Sequence, residues 1–300
     1  MRIKSIGEFE FIDRIKEKIP RLKNAIVGIG DDCAVLDYTK DRYLLVTTDM
    51  LLEGVHFDLN KISTYKVGRK ALAVSLSDIA AMAGIPKYCL VSLAVPPNTP
   101  LATLDGFYSG LLKLAKDFDV ELIGGDTNTS EKFICDVSVI GEVEKKFLTR
   151  RNGAKVGDSI FVTGSLGGAI KGKQYDFVPR VKEAHILVEN LKINSMIDIS
   201  DGLSLDLYHI TDASNVGAVI YDDCIPISKE ANSSKEALSG GEDFELLFTT
   251  SEEVTEEALS SKLGIPVRKI GEIVPKREGV RIVKEKSKKT ELKREGYKHF

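Results

Sequence analysis

Short clusters of glycine, aspartate, serine and threonine recur along this 300-residue sequence. They are Gly30-Asp31-Asp32, Thr47-Thr48-Asp49, Ser77-Asp78, Gly124-Gly125-Asp126-Thr127, Asp198-Ile199-Ser200-Asp201-Gly202 and Gly241-Glu242-Asp243. Several stand against apolar runs, where a lone carboxylate is costly unless it is paired or binds a cation. The clusters carry no Lys or Arg of their own. Hard oxygen ligands of this kind suit Mg²⁺, which keeps several waters and is commonly held by one or two carboxylates together with substrate phosphates. Scattered aspartates therefore point to more than one ion on a polyphosphate.

Each cluster also has a plain reading. Asp31 and Asp32 would shape a turn after Gly30, Asp49 would cap the segment after its strand, Asp126 would form an Asx turn, and Asp198 with Asp201 would be a helix N-cap pair. Asp78 resists such a reading, because it lies inside LAVSLSDIAAMAG, where an Asp in a helix interior is unfavourable. One shared site explains the set better than six coincidences. His56, seven residues after Asp49, is either an ordinary half-buried histidine or a contact to a substrate phosphate. Arg150-Arg151 is either a solvated pair or a clamp on phosphate charge, for which the guanidinium fork is suited. His185, His209 and His299 have no ligand-like spacing and read as structural. Gly167, Gly172 and Lys173 reproduce the spacing of a Walker loop, but Gln174 stands where the Mg²⁺-binding hydroxyl belongs. Those glycines instead let a helix pack closely or let backbone N–H groups approach an anion.

The elements that must carry these clusters alternate in type. Periodicity predicts helices at 8–19, 64–83, 104–117, 181–192 and after Gly202, and strands at 43–48, 88–95, 120–123, 135–144, 159–163 and 217–221. The carboxylates fall where the strands are expected to run out. The class is α/β or α+β, with one domain over 1–144 and a second over 145–300. The last twenty residues hold eight Lys/Arg against three Glu, which reads as a solvated hairpin or as a rim attracting anions.

With 43% hydrophobic and 29% charged residues, the composition excludes a disordered tail. A net charge of -3, from 42 Lys+Arg and 45 Asp+Glu, argues against a nucleic-acid binder, which needs a basic excess. No run approaches the ~20 apolar residues of a membrane span, and the N-terminal stretch lacks a signal-peptide pattern. Cys33, Cys89, Cys135 and Cys224 form no CxxC pair and read as small core residues of a reducing cytoplasm. A soluble cytoplasmic protein is expected.

The segments GIGDDCAVL (28–36), TTDMLLEGVHF (47–57), LAVSLSDIAAMAG (72–84), IGGDT (123–127), RNGAKVGDSIFVTGSLG (151–167), IDISDGL (197–203), LSGGEDFELLF (238–248) and GYKHF (296–300) together resemble the thiamine-monophosphate kinase family, which shares the aminoimidazole-ribonucleotide-synthetase type of fold. The resemblance spans nearly the whole chain. It implies two α/β domains, with the N-terminal domains pairing in a homodimer whose strands join into a barrel. It implies transfer of the γ-phosphoryl group of ATP, the co-substrate, to thiamine monophosphate with several Mg²⁺ ions. Carried over by position, Asp32, Thr47, Thr48, Asp49, Asp78, Asp126, Asp198 and Asp201 match metal-binding positions. Gly125, Asp126, Arg151 and Ser200 match ATP contacts. His56, Glu242 and Tyr297 match substrate contacts, and Asp49, Asp126 and Arg151 are expected to serve catalysis.

The chain departs from that family in a short connection at 169–184, where only Pro179-Arg180 remains of a longer motif, leaving Arg180 as a weak candidate for a phosphate contact. The alternatives are another ATP-using synthetase of the same superfamily, separable by its acceptor, and a silent nucleotide-binding protein, which should have lost aspartates.

Overall fold

The computed structural model describes residues 3–20, 23–284 and 288–299. The first part comprises helix α1 (Gly7–Lys18), strands β1 (Ala25–Val27), β2 (Ala34–Asp37) and β3 (Arg42–Leu52), helix α2 (Thr64–Ala81), strand β4 (Ile85–Val95), helix α3 (Leu101–Asp117), and strands β5 (Glu121–Thr129) and β6 (Ile134–Glu144). Their sheet runs β1-β2-β3-β6-β4-β5. β3 and β6 pair antiparallel through eleven positions, from Arg42 opposite Glu144 to Leu52 opposite Ile134. β4 and β5 are parallel, as a crossover through a helix requires. Alternation along β6 buries Cys135, Val137 and Val139 on the helix-covered face. Met50, Tyr88 and Ile123 on the other face are exposed.

α2 and α3 approach closely enough that a Cβ on Gly68 would fall 1.9 Å from the Phe107 carbonyl oxygen, so glycine is required there. The core beneath them gathers Leu72, Leu76, Ile79, Phe107, Leu111 and Phe133. Three cysteines are buried as expected, but Cys224 is exposed. It sits in a short 3₁₀ turn, Asp222–Cys224, rather than in the strand before it.

The second part comprises strand β7 (Ser159–Thr163), helices α4 (Lys173–Asp176) and α5 (Val181–Asn190), strand β8 (Ile193–Asp198), helix α6 (Leu203–Ser214), strand β9 (Gly217–Tyr221), helix α7 (Ser234–Ser239), strand β10 (Leu246–Thr250), helix α8 (Glu256–Leu263), and strands β11 (Val267–Val274), β12 (Val280–Lys284) and β13 (Lys288–Glu291). They form one sheet, β13-β12-β9-β11-β7-β10-β8. α6 covers one core, with Ile197, Leu203, Leu207 and Leu247. α5 and α8 cover another around Phe161, Met196 and Phe248. Ala80 and Ala83, at the end of α2, enter that second core, so this helix joins the two halves.

The basic C-terminal hairpin exists, but it is not simply solvated. β12 pairs in parallel with β9, and Ile282 and Leu292 are buried. Phe300 of the GYKHF segment lies outside the described residues. Two carboxylate positions also differ from the strand-end expectation: Asp49 lies within β3 and Asp126 within β5. The neighbouring strands continue past both residues, so pairing carries each strand through its polar stretch.

Candidate active site

The last two turns of α2 project Ser75, Ser77 and Asp78 toward the junction of the two sheets. The Ser77 hydroxyl donates to Asp198 Oδ2 at the end of β8 at 2.6 Å, which ties the halves together. The Ser75 hydroxyl lies 2.8 Å from Asp49 Oδ2, in mid-β3. The Thr47 hydroxyl donates to Asp78 Oδ2. The 30–33 turn is pinned against the end of α2 by the Cys33 N–H, which donates to Met82 Sδ at 3.1 Å.

These contacts bring Asp32, Asp78 and Asp198 so close that one oxygen of each lies within 4.8 Å of the others. Like charges at that separation repel by about 3 kcal/mol per pair at an effective dielectric near 20. Arg151 supplies a guanidinium to the cluster, donating to Asp32 Oδ1 from Nη2 at 2.6 Å and from Nε at 3.2 Å. Burial works against that charge, yet Asp32, Asp31 and Asp198 together outweigh it and hold the guanidinium firmly protonated. Burial pushes Asp198 up to about 8, with Asp32 adding to the shift, and pushes Asp49 up to about 6. Burial and then Asp49 and Asp198 hold Asp78 well above the usual carboxylate range. Asp32 Oδ2 is buried with no hydrogen-bond partner. A buried, unpartnered carboxylate oxygen among crowded hard donors fits a divalent cation such as Mg²⁺.

Next to the cluster opens a cavity of about 920 Å³, whose wall includes Thr48, Asp49, Ser200 and Asp201 on the cluster side and His56, Glu242 and Tyr297 farther out. That volume suits a phosphorylated ring compound. His56 Nδ1 accepts from the Leu52 N–H at 3.0 Å, so its other nitrogen carries the proton of the neutral ring. Burial, then Lys70 and His299, push its pKa down to about 4. The C-terminal segment reaches the cavity because the Tyr297 N–H donates to the Asp201 carbonyl at 2.9 Å.

The remaining expected residues make other contacts or lie on other strands. The Thr48 hydroxyl is taken up by Asp136 Oδ1 at 2.7 Å and by Ser138 at 2.8 Å on the neighbouring strand. Gly125 and Asp126 lie on β5, where Asp126 is opposite Ser92, Ser92 opposite Asp136, and Asp136 opposite Met50. Asp126 is thus three strand spacings, about 14 Å, from β3 in this chain. Asp198 and Asp201 do not cap α6 with their side chains. Asp206, inside the helix, accepts from the Asp201 and Gly202 N–H groups at 3.2 and 3.0 Å instead. One atom each of Asp201, Asp206 and His209 also lies within 4.8 Å of the others, with Asp206 Oδ2 accepting from those two N–H groups.

Of the Walker-like glycines, Gly167 holds a carboxylate of the protein, while the Gly172 N–H donates to the Ala169 carbonyl. The Gly167 N–H lies 2.9 and 2.8 Å from the two oxygens of Asp243. Lys173 reaches the Ser165 carbonyl and Glu245. Arg180 forms a two-pronged pair with the buried Glu245, at 2.7 and 2.8 Å, which makes it a structural anchor of the short connection. Sequence reading singled out Ser77 beside Asp78 but passed over Ser75, which is buried two residues earlier in the same apolar helical run. It also left His299 as structural, whereas its ring lies on the cavity wall, 5.4 Å from that of His56. Lys70 escaped attention altogether. It is fully buried in α2, and its Nζ donates to Glu242 Oε1 at 2.6 Å and to the His56 carbonyl at 2.9 Å.

Residues 30–143 match the family described as AIR synthase related protein, N-terminal domain, and residues 155–284 match its C-terminal domain. The chain is 37% identical to thiamine-monophosphate kinase of Bacillus subtilis (strain 168), covering 98% of this chain and all of that one. A solved structure of AaThiL complexed with AMPPCP and TMP superposes with a TM-score of 0.85 at 33% identity, covering 100% of this chain and 99% of the other. E. coli HypE, a hydrogenase maturation protein, has the same fold at 18% identity, with a TM-score of 0.72 over 83% of this chain and 85% of its own.

Proposed function

The chain belongs to the thiamine-monophosphate kinase family of AIR synthase related proteins, and from that membership we propose that it transfers the γ-phosphoryl group of ATP to thiamine monophosphate, releasing ADP and thiamine diphosphate. The observation that carries this reading is the shared wall between the aspartate cluster and the cavity, where Asp49 belongs to both. A nucleotide polyphosphate placed at the cluster faces an acceptor placed in the cavity.

The acceptor is a phosphate oxygen, already a competent nucleophile, so no strong base is required. That oxygen forms a bond to the γ-phosphorus while the bond from the γ-phosphorus to the β,γ-bridging oxygen breaks and ADP leaves. The barrier is repulsion between two anions, which positioning and fixed positive charge overcome. Asp32, Asp49, Asp78 and Asp198 would hold Mg²⁺, whose chemistry when bound is to neutralise phosphate charge. Arg151 stays protonated beside them and adds a fixed cation. His56, neutral with its second ring nitrogen protonated, offers a donor to the acceptor phosphate, and Glu242 and the Tyr297 ring bound the space for the thiamine heterocycles. Thr47, Thr48 and Asp201 belong to the metal side, and Ser200 to the ATP side.

Gly125 and Asp126 sit on the exposed edge strand β5. A homodimer whose sheets join into a barrel would cover that edge. The division into domains is placed at about residue 144, between β6 and β7. No helix among the described residues is long and apolar enough to cross a membrane, which accords with a cytoplasmic enzyme.

The test is incubation with ATP, Mg²⁺ and thiamine monophosphate, with free thiamine as control and chromatographic separation of the products. Thiamine diphosphate formed from the monophosphate alone supports the reading. ATP turnover with no thiamine diphosphate moves the enzyme to another acceptor. Transfer is direct, so a protein labelled covalently by γ-labelled ATP would contradict it.

A further inference from the structure

Lys70 is a buried ammonium with three hydrogens and three acceptors. It donates to the His56 carbonyl at 2.9 Å, to Glu242 Oε1 at 2.6 Å and to the Gln174 side-chain oxygen. The Tyr175 ring centroid lies 5.1 Å away. An ammonium has three donors and no acceptor, so none is left for a ligand.

The three acceptors come from separate stretches: the turn after β3, helix α4 in the short connection, and the segment between α7 and β10. His56, Gln174 and Glu242 all line the cavity. Burying an ammonium costs several kcal/mol even when it is paired, and an apolar side chain would fill the same space without that cost. Glu242 has a φ of 69°, a left-handed backbone that a non-glycine residue adopts only where its surroundings hold it. Its N–H is held by the Ser200 carbonyl at 2.7 Å and its carboxylate by Lys70. Asp78 lies eight residues further along the same helix, about 12 Å away, so the metal-binding end is separate from this clamp.

We propose that Lys70 is a positioning residue for the acceptor: a three-legged clamp that sets the relative placement of His56, Gln174 and Glu242, and so the affinity for thiamine monophosphate, without touching it. The inference rests on the acceptor assignment made above.

Steady-state kinetics of Lys70→Met, with thiamine monophosphate and ATP varied separately, test it. The KM for thiamine monophosphate should rise about 10- to 100-fold, the range that misplacement by an ångström produces, while the KM for ATP stays as in the parent and kcat falls far less. Adding Gln174→Leu to Lys70→Met should raise that KM little further, since both act through one contact. An unchanged acceptor KM, or equal losses toward both substrates, overturns the proposal. Should Lys70→Met fail to fold, Gln174→Leu removes one leg and should raise the acceptor KM several-fold with ATP unaffected; no change there overturns it as well. The parent enzyme run alongside separates the two ideas. Thiamine diphosphate from the parent with normal acceptor KM in the variants removes only the clamp, and no thiamine diphosphate from the parent removes the acceptor assignment together with it.

Discussion

Asp32 gives one carboxylate oxygen to the Arg151 guanidinium at 2.6 Å and keeps the other buried without a partner. One oxygen thus serves an ion pair, while the carboxylate stands beside those of Asp78 and Asp198. Asp32→Asn keeps an oxygen for Arg151 and removes the negative charge. Turnover should fall about 100-fold or more with secondary structure unchanged, as read by steady-state assay and circular dichroism. Near-parental turnover at low Mg²⁺ would take Asp32 out of the metal set.

His56 is held neutral by burial and by Lys70 and His299, with a pKa of about 4 against 6.5 in an unfolded chain. Because the folded value is the lower one, its contribution to stability is present above about pH 6.5 and is lost as pH falls through about 4. The ring carbon resonances of His56 should therefore titrate near pH 4. A midpoint near 6.5 would contradict the buried acceptor role of Nδ1.

Arg180 pairs with Glu245, whose side chain is almost wholly buried. Arg180→Gln leaves that carboxylate with Lys173 as its remaining cation and should destabilise the protein by about 3 kcal/mol in denaturant unfolding. The KM values should stay as in the parent. A selective loss of phosphate-substrate affinity would reinstate Arg180 as a ligand contact.

Tyr297 stands on the cavity wall, edge-on to His299 with ring centroids 5.0 Å apart. Tyr297→Ala removes an aromatic surface against which a thiamine ring can lie, so KM for thiamine monophosphate should rise more than kcat falls. The opposite pattern would assign the residue to the chemical step.

Gly68 has the Phe107 backbone where its Cβ would be. Gly68→Val forces α2 and α3 apart and should cost about 3 kcal/mol or prevent folding. Thermal melting reads the outcome directly.

Much of this was legible in the chain because the signals were local. The helix over 64–83 and the strand over 135–144 follow from periodicity, and the aspartates betray themselves by standing in apolar surroundings. What escaped was created by tertiary contact. Nothing near Asp32 in sequence announces Arg151, which lies 119 residues away. Lys70 sits where helix periodicity expects an apolar residue, and a single lysine in such a run ordinarily reads as a stem reaching for water. Its partners, Gln174 and Glu242, are 104 and 172 residues distant. Asp49 and Asp126 were placed at strand ends because polar clusters usually interrupt strands. In the fold, eleven-residue pairing of β3 with β6 carries the strand through Asp49, and the Ser75 hydroxyl meets its side chain.

Helix α2 carries Lys70 beside residues that line the cavity, and Ser75, Ser77 and Asp78 in the aspartate cluster. The two groups are spaced along one rod, so the distance between them is written into a residue count. One residue inserted between them would swing Asp78 by about 100° relative to Lys70. An insertion between residues 70 and 78 would therefore disturb the register of the two groups in a way that a change in a surface connection would not.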